Sequence, residues 1–351
     1  MKLLERLGLS NLGWQKRPLI SVVVASYNHQ DYVQACLQSV LTQDCQDFEI
    51  VVTDDGSKDQ TVARIQAITD PRIRLHVLPH NRGACLALND AILRSRGRFI
   101  AVLNSDDYFL PGKLSQQLAY LQAHPQVGAV FGLPAFINEQ GEVFDDPAHR
   151  DRNAFVAEAR TRHQWLRHFF DEGNALCHPT VLIRREVYDR LGLYDPRLAQ
   201  VPDLDMWIRL ASHTELHVMP QPLTAFRVRD GLQNASAGRP EVIVRDAWER
   251  ARILRHYLTL PEADWQRVFP ELAATTLTPP EPFVEKLARY ALNKPYPFFH
   301  RFALDAWFDS LPGGQPPQAM LQALQNRPQA WRNFIAHTGQ TDLHNIRPAK
   351  N

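Results

Sequence analysis

A chain of 351 residues, 44% hydrophobic and 22% charged, has the balance of one large or two ordinary packed domains and excludes wholesale disorder. Its formal net charge of +1 lacks the Lys and Arg excess that a nucleic-acid binder relies on, so no nucleic-acid partner is expected. No stretch approaches about 18 consecutive apolar residues, which excludes a membrane-spanning helix.

Residues 1–17 carry an apolar stripe at Leu3, Leu4, Leu7 and Leu12. It reads as a short docking helix, or as an interfacial helix giving peripheral membrane contact. The four cysteines, Cys36, Cys45, Cys85 and Cys177, are scattered without a Cys-x-x-Cys pair, which suits a reduced, cytoplasmic setting, at most peripheral to the inner membrane face.

Leu19–Ala25 is a continuous apolar run behind Pro18 and predicts a buried parallel strand. Asp31–Gln43 follows with helical spacing at Val33, Leu37, Val40 and Leu41. Phe48–Thr53 predicts the second strand, ending in the turn cluster Asp54-Asp55-Gly56-Ser57, which can cap a helix over Asp59–Ile68. Ile73–Leu78 alternates as a half-buried strand. Ala84–Ser95 is helical and stops at Gly97. Arg98–Leu103 is the next strand and runs into Asn104-Ser105-Asp106-Asp107. A helix opens near Pro111, and Val127–Gly132 is a further strand. This alternation implies right-handed crossovers and a mainly parallel sheet flanked by helices. Ligands bind such sheets outside the carboxyl ends of the strands. Three strands end in polar clusters, Ser26-Tyr27-Asn28, Asp54-Asp55 and Asp106-Asp107, so the topology puts these residues on one rim.

From Asn138 turns dominate, with Gly141, Asp145, Asp146 and Pro147. A helix over His163–Phe170, a strand at Thr180–Ile183, short helices at Glu186–Leu191 and Asp205–Ala211, and an extended Leu216–Phe226 follow. Beyond Pro240 the pattern is helical, at Val242–Leu258, Pro282–Leu292 and Gln318–Gln325, broken by prolines. The domain reading is an N-terminal segment 1–17, an α/β domain 18–238 and a helical C-terminal region 239–351. That region serves as cover or an oligomer contact, or as an acceptor or membrane surface through Trp307, Phe308 and Trp331.

Adjacent carboxylates at Asp106 and Asp107 repel and call for a cation or strong hydrogen bonds. Mg²⁺ or Mn²⁺ suits them, since it accepts carboxylate oxygen and shares its shell with substrate phosphates; an acidic cap before Pro111-Gly112 is the plainer reading. Asp54-Asp55-Gly56-Ser57 is a turn and cap, or a carboxylate reading a base N–H or ribose hydroxyl. Asp203-Leu204-Asp205-Met206-Trp207-Ile208-Arg209 is an acidic helix start, or it carries a general base. No Gly-x-Gly-x-x-Gly fingerprint or Walker A loop is present, which excludes an ordinary dinucleotide or ATP site.

These segments, together with Asn81-Arg82-Gly83, occur in the order seen in family 2 of the inverting glycosyltransferases. The resemblance runs from Pro18 to Ser236. It implies the GT-A fold, a nucleotide-diphospho-sugar donor, most simply a UDP-sugar, and an acceptor hydroxyl on a glycan, lipid-linked or protein acceptor in surface polysaccharide, lipid-linked glycan or glycoprotein synthesis. By this resemblance Ala25, Tyr27 and Asn28 lie against the base and Asp54 and Asp55 read it. Asn81 and Arg82 line the base and phosphate pocket. Asn104, Ser105, Asp106 and Asp107 form the element that binds ribose and Mn²⁺ or Mg²⁺. His178 lies near acceptor or diphosphate, with a core hydrogen-bonding histidine as the alternative. Asp203 is the catalytic base. Two positions depart from the pattern: Asn104 replaces an aspartate, and Arg229 stands where many relatives have a metal-assisting histidine. An arginine cannot ligate a metal but can clamp a phosphate. The alternatives are a sugar nucleotidyltransferase, for which the first strand lacks a glycine-rich basic loop, and a catalytically inactive glycan-binding or scaffold protein.

Overall fold

The computed structural model describes residues 17–144, 146, 154–155, 158–229, 239–274, 281–311, 318, 322 and 328–338. The apolar stripe of residues 1–16, most of Gln318–Gln325 and the side chain of Trp331 lie outside them. Two compact units divide the chain and interleave along it. The first comprises Met1–Phe136, Cys177–Gly192 and Met219–Arg227; the second comprises Ile137–Leu176, Leu193–Val218 and Val228–Asn351.

The first unit is built on a sheet of strands β1 (Ile20–Ser26), β2 (Phe48–Asp54), β3 (Ile73–Val77), β4 (Phe99–Asn104), β5 (Tyr108–Phe109), β6 (Val127–Ile137), β7 (Leu182–Arg184) and β8 (Glu215–Arg227), in the order β3-β2-β1-β4-β7-β6-β8-β5. The last residue of β6 and the first four of β8 belong to the second unit. β3, β2, β1 and β4 pair in parallel, and β4–β7, β7–β6 and β8–β5 are antiparallel. The parallel expectation thus holds over the four strands that alternate with helices. It ends at β7, which pairs antiparallel with both β4 and β6. The core lies between the apolar faces of β1, β2 and β4 and the Val33–Leu41 helix, whose Val33, Cys36, Leu37 and Val40 are all buried.

Register places the rim. Ser26 stands opposite Asp54, and Ala25 opposite Asn104. β1 has β2 on one side and β4 on the other, which makes its carboxyl end the switch point of the parallel strands. The opposite end is closed by a buried polar network. Ser21 Oγ donates to Glu49 Oε1 at 2.7 Å, Arg74 Nη1 donates to Glu49 Oε2 at 2.8 Å, and the Gly97 N–H donates to Ser21 Oγ at 2.7 Å.

The second unit is mainly helical. The Arg162–Asp171 helix opens on a capping box, with Thr161 and Gln164 each accepting from the other's backbone N–H. Its Phe170 meets Tyr257, Phe269 and Phe299 with ring centroids 4.9, 5.1 and 5.4 Å away. The Leu254–Thr259 turn, Phe269 and the Pro297–Ser310 helix therefore share a core with a segment from the middle of the chain. Trp307 is fully buried, whereas Phe308 is 61% exposed. All four cysteines are free thiols. Among the described residues no helix is long and apolar enough to cross a membrane.

Candidate functional site

In the first unit the ends of β1, β2 and β4 bring most of the expected residues together. Ala25 is half-buried at the end of β1, and Tyr27 and Asn28 are exposed beyond it. Asn28 has φ +51°, a left-handed conformation that asparagine tolerates better than most residues. Its side-chain Oδ1 accepts from the Lys58 N–H at 2.9 Å, and its own N–H donates to Ser57 Oγ at 2.9 Å. The loop after β1 is thereby tied to the turn after β2.

Asp54 and Asp55 divide their work. Asp54 is fully buried and accepts from the Ser57 N–H at 2.8 Å and Ser57 Oγ at 2.6 Å, closing the turn. Asp55 accepts from the Arg82 N–H at 2.7 Å and the Gly83 N–H at 2.8 Å, one on each carboxylate oxygen. Each oxygen keeps a second lone pair, so Asp55 holds the Asn81-Arg82-Gly83 loop in place and retains capacity to accept from a ligand. Asn81 and Arg82 are exposed. Gly56 between the two turns has φ +73°, and a Cβ there would lie 2.8 Å from the His80 backbone, so only glycine fits.

The carboxylates after β4 are not equivalent. Asp107 is 2% exposed; its Oδ2 accepts from Asn104 Nδ2 at 2.8 Å and its Oδ1 from the Arg227 N–H at 2.8 Å. Burial and the neighbouring Asp106 charge push its carboxyl well above the ordinary range. The sequence treats Asp107 as a metal ligand. The geometry makes it a structural link between β4 and β8, buried and holding one hydrogen bond on each carboxylate oxygen. Asn104, read from sequence as a ribose contact, is the partner that occupies it. Asp106 is half-buried. His29 stands beside it, with Nε2 3.8 Å from Asp106 Oδ2 and Nδ1 2.7 Å from the hydroxyl of the buried Ser105. Sequence reasoning passed over His29, since only tertiary packing carries it to the end of β4. Arg227, also unforeseen, donates from Nε to the Asp106 carbonyl at 2.8 Å and lies over the Tyr32 ring.

His178 opens a short 3-10 turn, His178–Thr180, in the same unit. Burial drives its imidazole down to about 4, which keeps it neutral near pH 7. A cavity of about 440 Å³ bordered by Leu19, Arg96, Gly97, Phe99 and Arg185 lies at the amino ends of β1 and β4, the rim opposite these clusters.

The second unit holds Asp203 and Arg229. Asp203 lies in the first turn of the Pro202–Ala211 helix. Its Oδ2 accepts from Asn174 Nδ2 at 2.7 Å, and its Oδ1 from the Leu204 N–H at 2.8 Å. These bonds and the helix start favour the carboxylate, but desolvation outweighs them and raises the group to about 6. Asp205, two residues on, behaves oppositely. Arg209 reaches its Oδ2 at 2.8 Å and His256 its Oδ1 at 2.7 Å. Against its burial these partners hold it below the usual range. Asp205 is therefore committed to structure, and Asp203 is the carboxyl of the pair poised to exchange a proton near neutral pH. Asn174 gave no signal in sequence, being 29 residues away. Arg229 is half-buried, and its neighbour Val228 is pinned by a 2.8 Å bond from its N–H to the Ile137 carbonyl.

The model for glycosyl transferase family 2 matches residues 21–192. Over that span the chain belongs to this family. It is similar to an uncharacterised glycosyltransferase of Methanocaldococcus jannaschii, 27% identical over 222 residues that cover 62% of this chain and 73% of that one. It is also similar to the Escherichia coli UDP-Glc:alpha-D-GlcNAc-diphosphoundecaprenol beta-1,3-glucosyltransferase WfaP, 38% identical over 104 residues that cover 30% of this chain and 41% of the relative. Among solved structures, Staphylococcus aureus TarS 1-349 in complex with UDP-GlcNAc is alike with a TM-score of 0.57 at 18% identity, covering 92% of this chain and 91% of that one. That likeness shows a shared GT-A fold. The protein is a glycosyltransferase, and the nucleotidyltransferase alternative gives way.

Proposed function

We propose that this glycosyltransferase moves a sugar from a UDP-sugar to a hydroxyl of a lipid-linked or polysaccharide acceptor, with inversion at the anomeric carbon. The observation that carries the proposal is the contrast within Asp203-Leu204-Asp205: Asp205 is locked by Arg209 and His256, while Asp203 stays a proton acceptor raised to about 6. The donor class is supported by the strand-end residues of the first unit and by the UDP-Glc donor of WfaP.

Ala25, Tyr27, Asn28 and Asp55 receive the base, with Asn81 and Arg82 on the base and phosphate side. Asp54 keeps the turn beneath them closed. Asn104 and Ser105 shape the ribose end, and His178 offers a neutral imidazole to the acceptor or diphosphate. Arg229 offers a fixed positive charge to phosphate oxygen.

Among the described residues no group of three or more His, Cys, Asp or Glu is arranged to hold a metal. A Mg²⁺ or Mn²⁺ that takes most of its oxygens from diphosphate and water needs only one or two protein ligands. The half-buried Asp106, with His29 beside it, fits that requirement; Asp107 does not. When bound, the ion supplies charge against the developing diphosphate.

Asp203 removes the proton from the acceptor hydroxyl as that oxygen attacks the anomeric carbon. The bond from that carbon to the diphosphate oxygen breaks, and the nucleoside diphosphate leaves with its electron pair. Attack opposite the leaving group inverts the configuration. Asp203→Asn should cut kcat by roughly a hundredfold to ten-thousandfold while UDP binding measured by calorimetry persists. In the unaltered enzyme kcat/KM should fall tenfold per pH unit below about 6, because the base is then protonated. Near-normal turnover of Asp203→Asn, or a retained anomeric configuration in the product by NMR, would refute the reading.

A further inference from the structure

Asp203 is supported by one short stretch of a distant helix, residues 249–256 of the Pro240–Ile253 helix and the turn that follows it. Glu249 is 1% exposed and carries no partner arginine or lysine at salt-bridge distance among the described residues. Its Oε1 accepts from the Ala199 N–H at 2.8 Å, and its Oε2 accepts from the Gln200 N–H at 2.7 Å and the Val201 N–H at 3.1 Å. These three residues lead directly into Pro202 and Asp203, and Val201 is the N-cap of their helix. A buried carboxylate is costly unless its oxygens are satisfied. Here three consecutive backbone donors satisfy it, and the loop they belong to is thereby fixed.

The next residue bears on Asp203 by its charge. Arg250 exerts a favourable charge on Asp203 and is anchored by Asp246, whose Oδ2 accepts from Nε at 2.6 Å. Its Nη1 lies 2.7 Å from the place a Cβ on Gly173 would take. Gly173, at φ +96°, closes the Arg162–Asp171 helix, and its successor Asn174 donates to Asp203 Oδ2. His256 in the following turn engages Asp205, which also binds Arg209.

We propose that Glu249 and Arg250 are positioning residues for Asp203: Glu249 fixes the backbone Ala199–Val201 that presents it, and Arg250 braces the Gly173–Asn174 turn that hydrogen-bonds it. This rests on Asp203 being the base. The helical C-terminal region is then part of the catalytic apparatus rather than a cover. Glu249→Gln preserves side-chain volume but sets an NH₂ group against a backbone donor. Displacing a reacting group by about 1 Å can cost a hundredfold.

The test is steady-state kinetics of the full chain with a UDP-sugar and acceptor over pH 5–9, with melting temperature recorded for each variant. Glu249→Gln should lower kcat at least about tenfold, leave donor KM within about twofold and move the acid limb of kcat/KM. Arg250→Met should shift that limb to higher pH, because the charge that favours the ionised Asp203 is gone. A folded Glu249→Gln with unchanged kcat and acid limb overturns the proposal. If Glu249→Gln does not fold, Arg250→Met decides: an unmoved acid limb overturns it. Asp203→Asn in the same series separates the two readings. If it stays active, the base assignment fails. If it is inactive while both supporting variants behave as the parent, only the positioning proposal fails.

Discussion

Lys113 is a fully buried amine whose Nζ donates to Gln117 Oε1 at 2.8 Å and lies 4.1 Å from the centre of the Phe109 ring. Desolvation drives it down from the ordinary 10.5 to about 7. Below about pH 7 it is charged in both folded and unfolded chains. Between about 7 and 10.5 only the unfolded chain keeps the proton, so folding stability rises with pH over that window, at up to about 1.4 kcal/mol per pH unit. Lys113→Met should flatten that rise in urea titrations at pH 6, 7, 8 and 9. At the same scale, Asp106 and Asp107 separate by burial. Asp106→Ala should abolish the gain in UDP affinity that Mn²⁺ brings, measured by calorimetry with and without the ion; an unaltered gain would remove Asp106 from the metal role. Adjacent identical residue types carry no such distinction in sequence. It arises because Asn104 and the Arg227 N–H occupy one of them.

Turns and strand ends hold the elements in register. Gly97 precedes β4, and a Cβ added there would sit 2.4 Å from the Ser21 backbone nitrogen, 2.6 Å from the Ile20 carbonyl carbon and 2.7 Å from Ser21 Oγ. The nearest obstacles are central-strand backbone, which cannot swing aside as a side chain can. Gly97→Ala should therefore cost at least about 1–3 kcal/mol, read as a lowered urea midpoint with unchanged slope. A loss within a few tenths of a kcal/mol would show that the β1–β4 junction yields. The same scale shows what was legible in advance. β1, β2, β3 and β4 and the helices between them lie within a residue or two of the apolar runs that announce them. The strand expected at Thr180–Ile183 instead splits into the His178–Thr180 turn and β7. Pro179, which lacks an N–H for strand pairing, occupies the turn. Three helices, Glu262–Val268, Pro297–Ser310 and Pro328–Thr338, gave no clear expectation because aromatic and proline-rich sequence obscures the helical period.

At the scale of the molecule, the second unit joins segments that are far apart in the chain. Its core surrounds Phe170, and Tyr257 Oη donates to the Leu166 carbonyl at 2.7 Å. Removing residues 239–351 would strip Phe170 of its ring partners and delete Glu249, Arg250 and His256 together. The truncated protein should show no sugar transfer and should bind a hydrophobic dye, since a large apolar core becomes exposed. Transfer at the rate of the full chain would show that the C-terminal helices are dispensable.

The sequence by itself determined the α/β class, the positions of the first four strands along the chain and the family. It also placed Ser26-Tyr27-Asn28, Asp54-Asp55 and Asn104 to Asp107 at strand ends, because hydrophobic period and local turn chemistry are read over a few residues. Tertiary structure alone decided which carboxylates are spent on structure, that His29 reaches Asp106, and that Asn174 and Glu249 attend Asp203 and its approach loop. Those outcomes depend on burial and on hydrogen bonds between residues 29 to 120 positions apart, and a short sequence window contains neither.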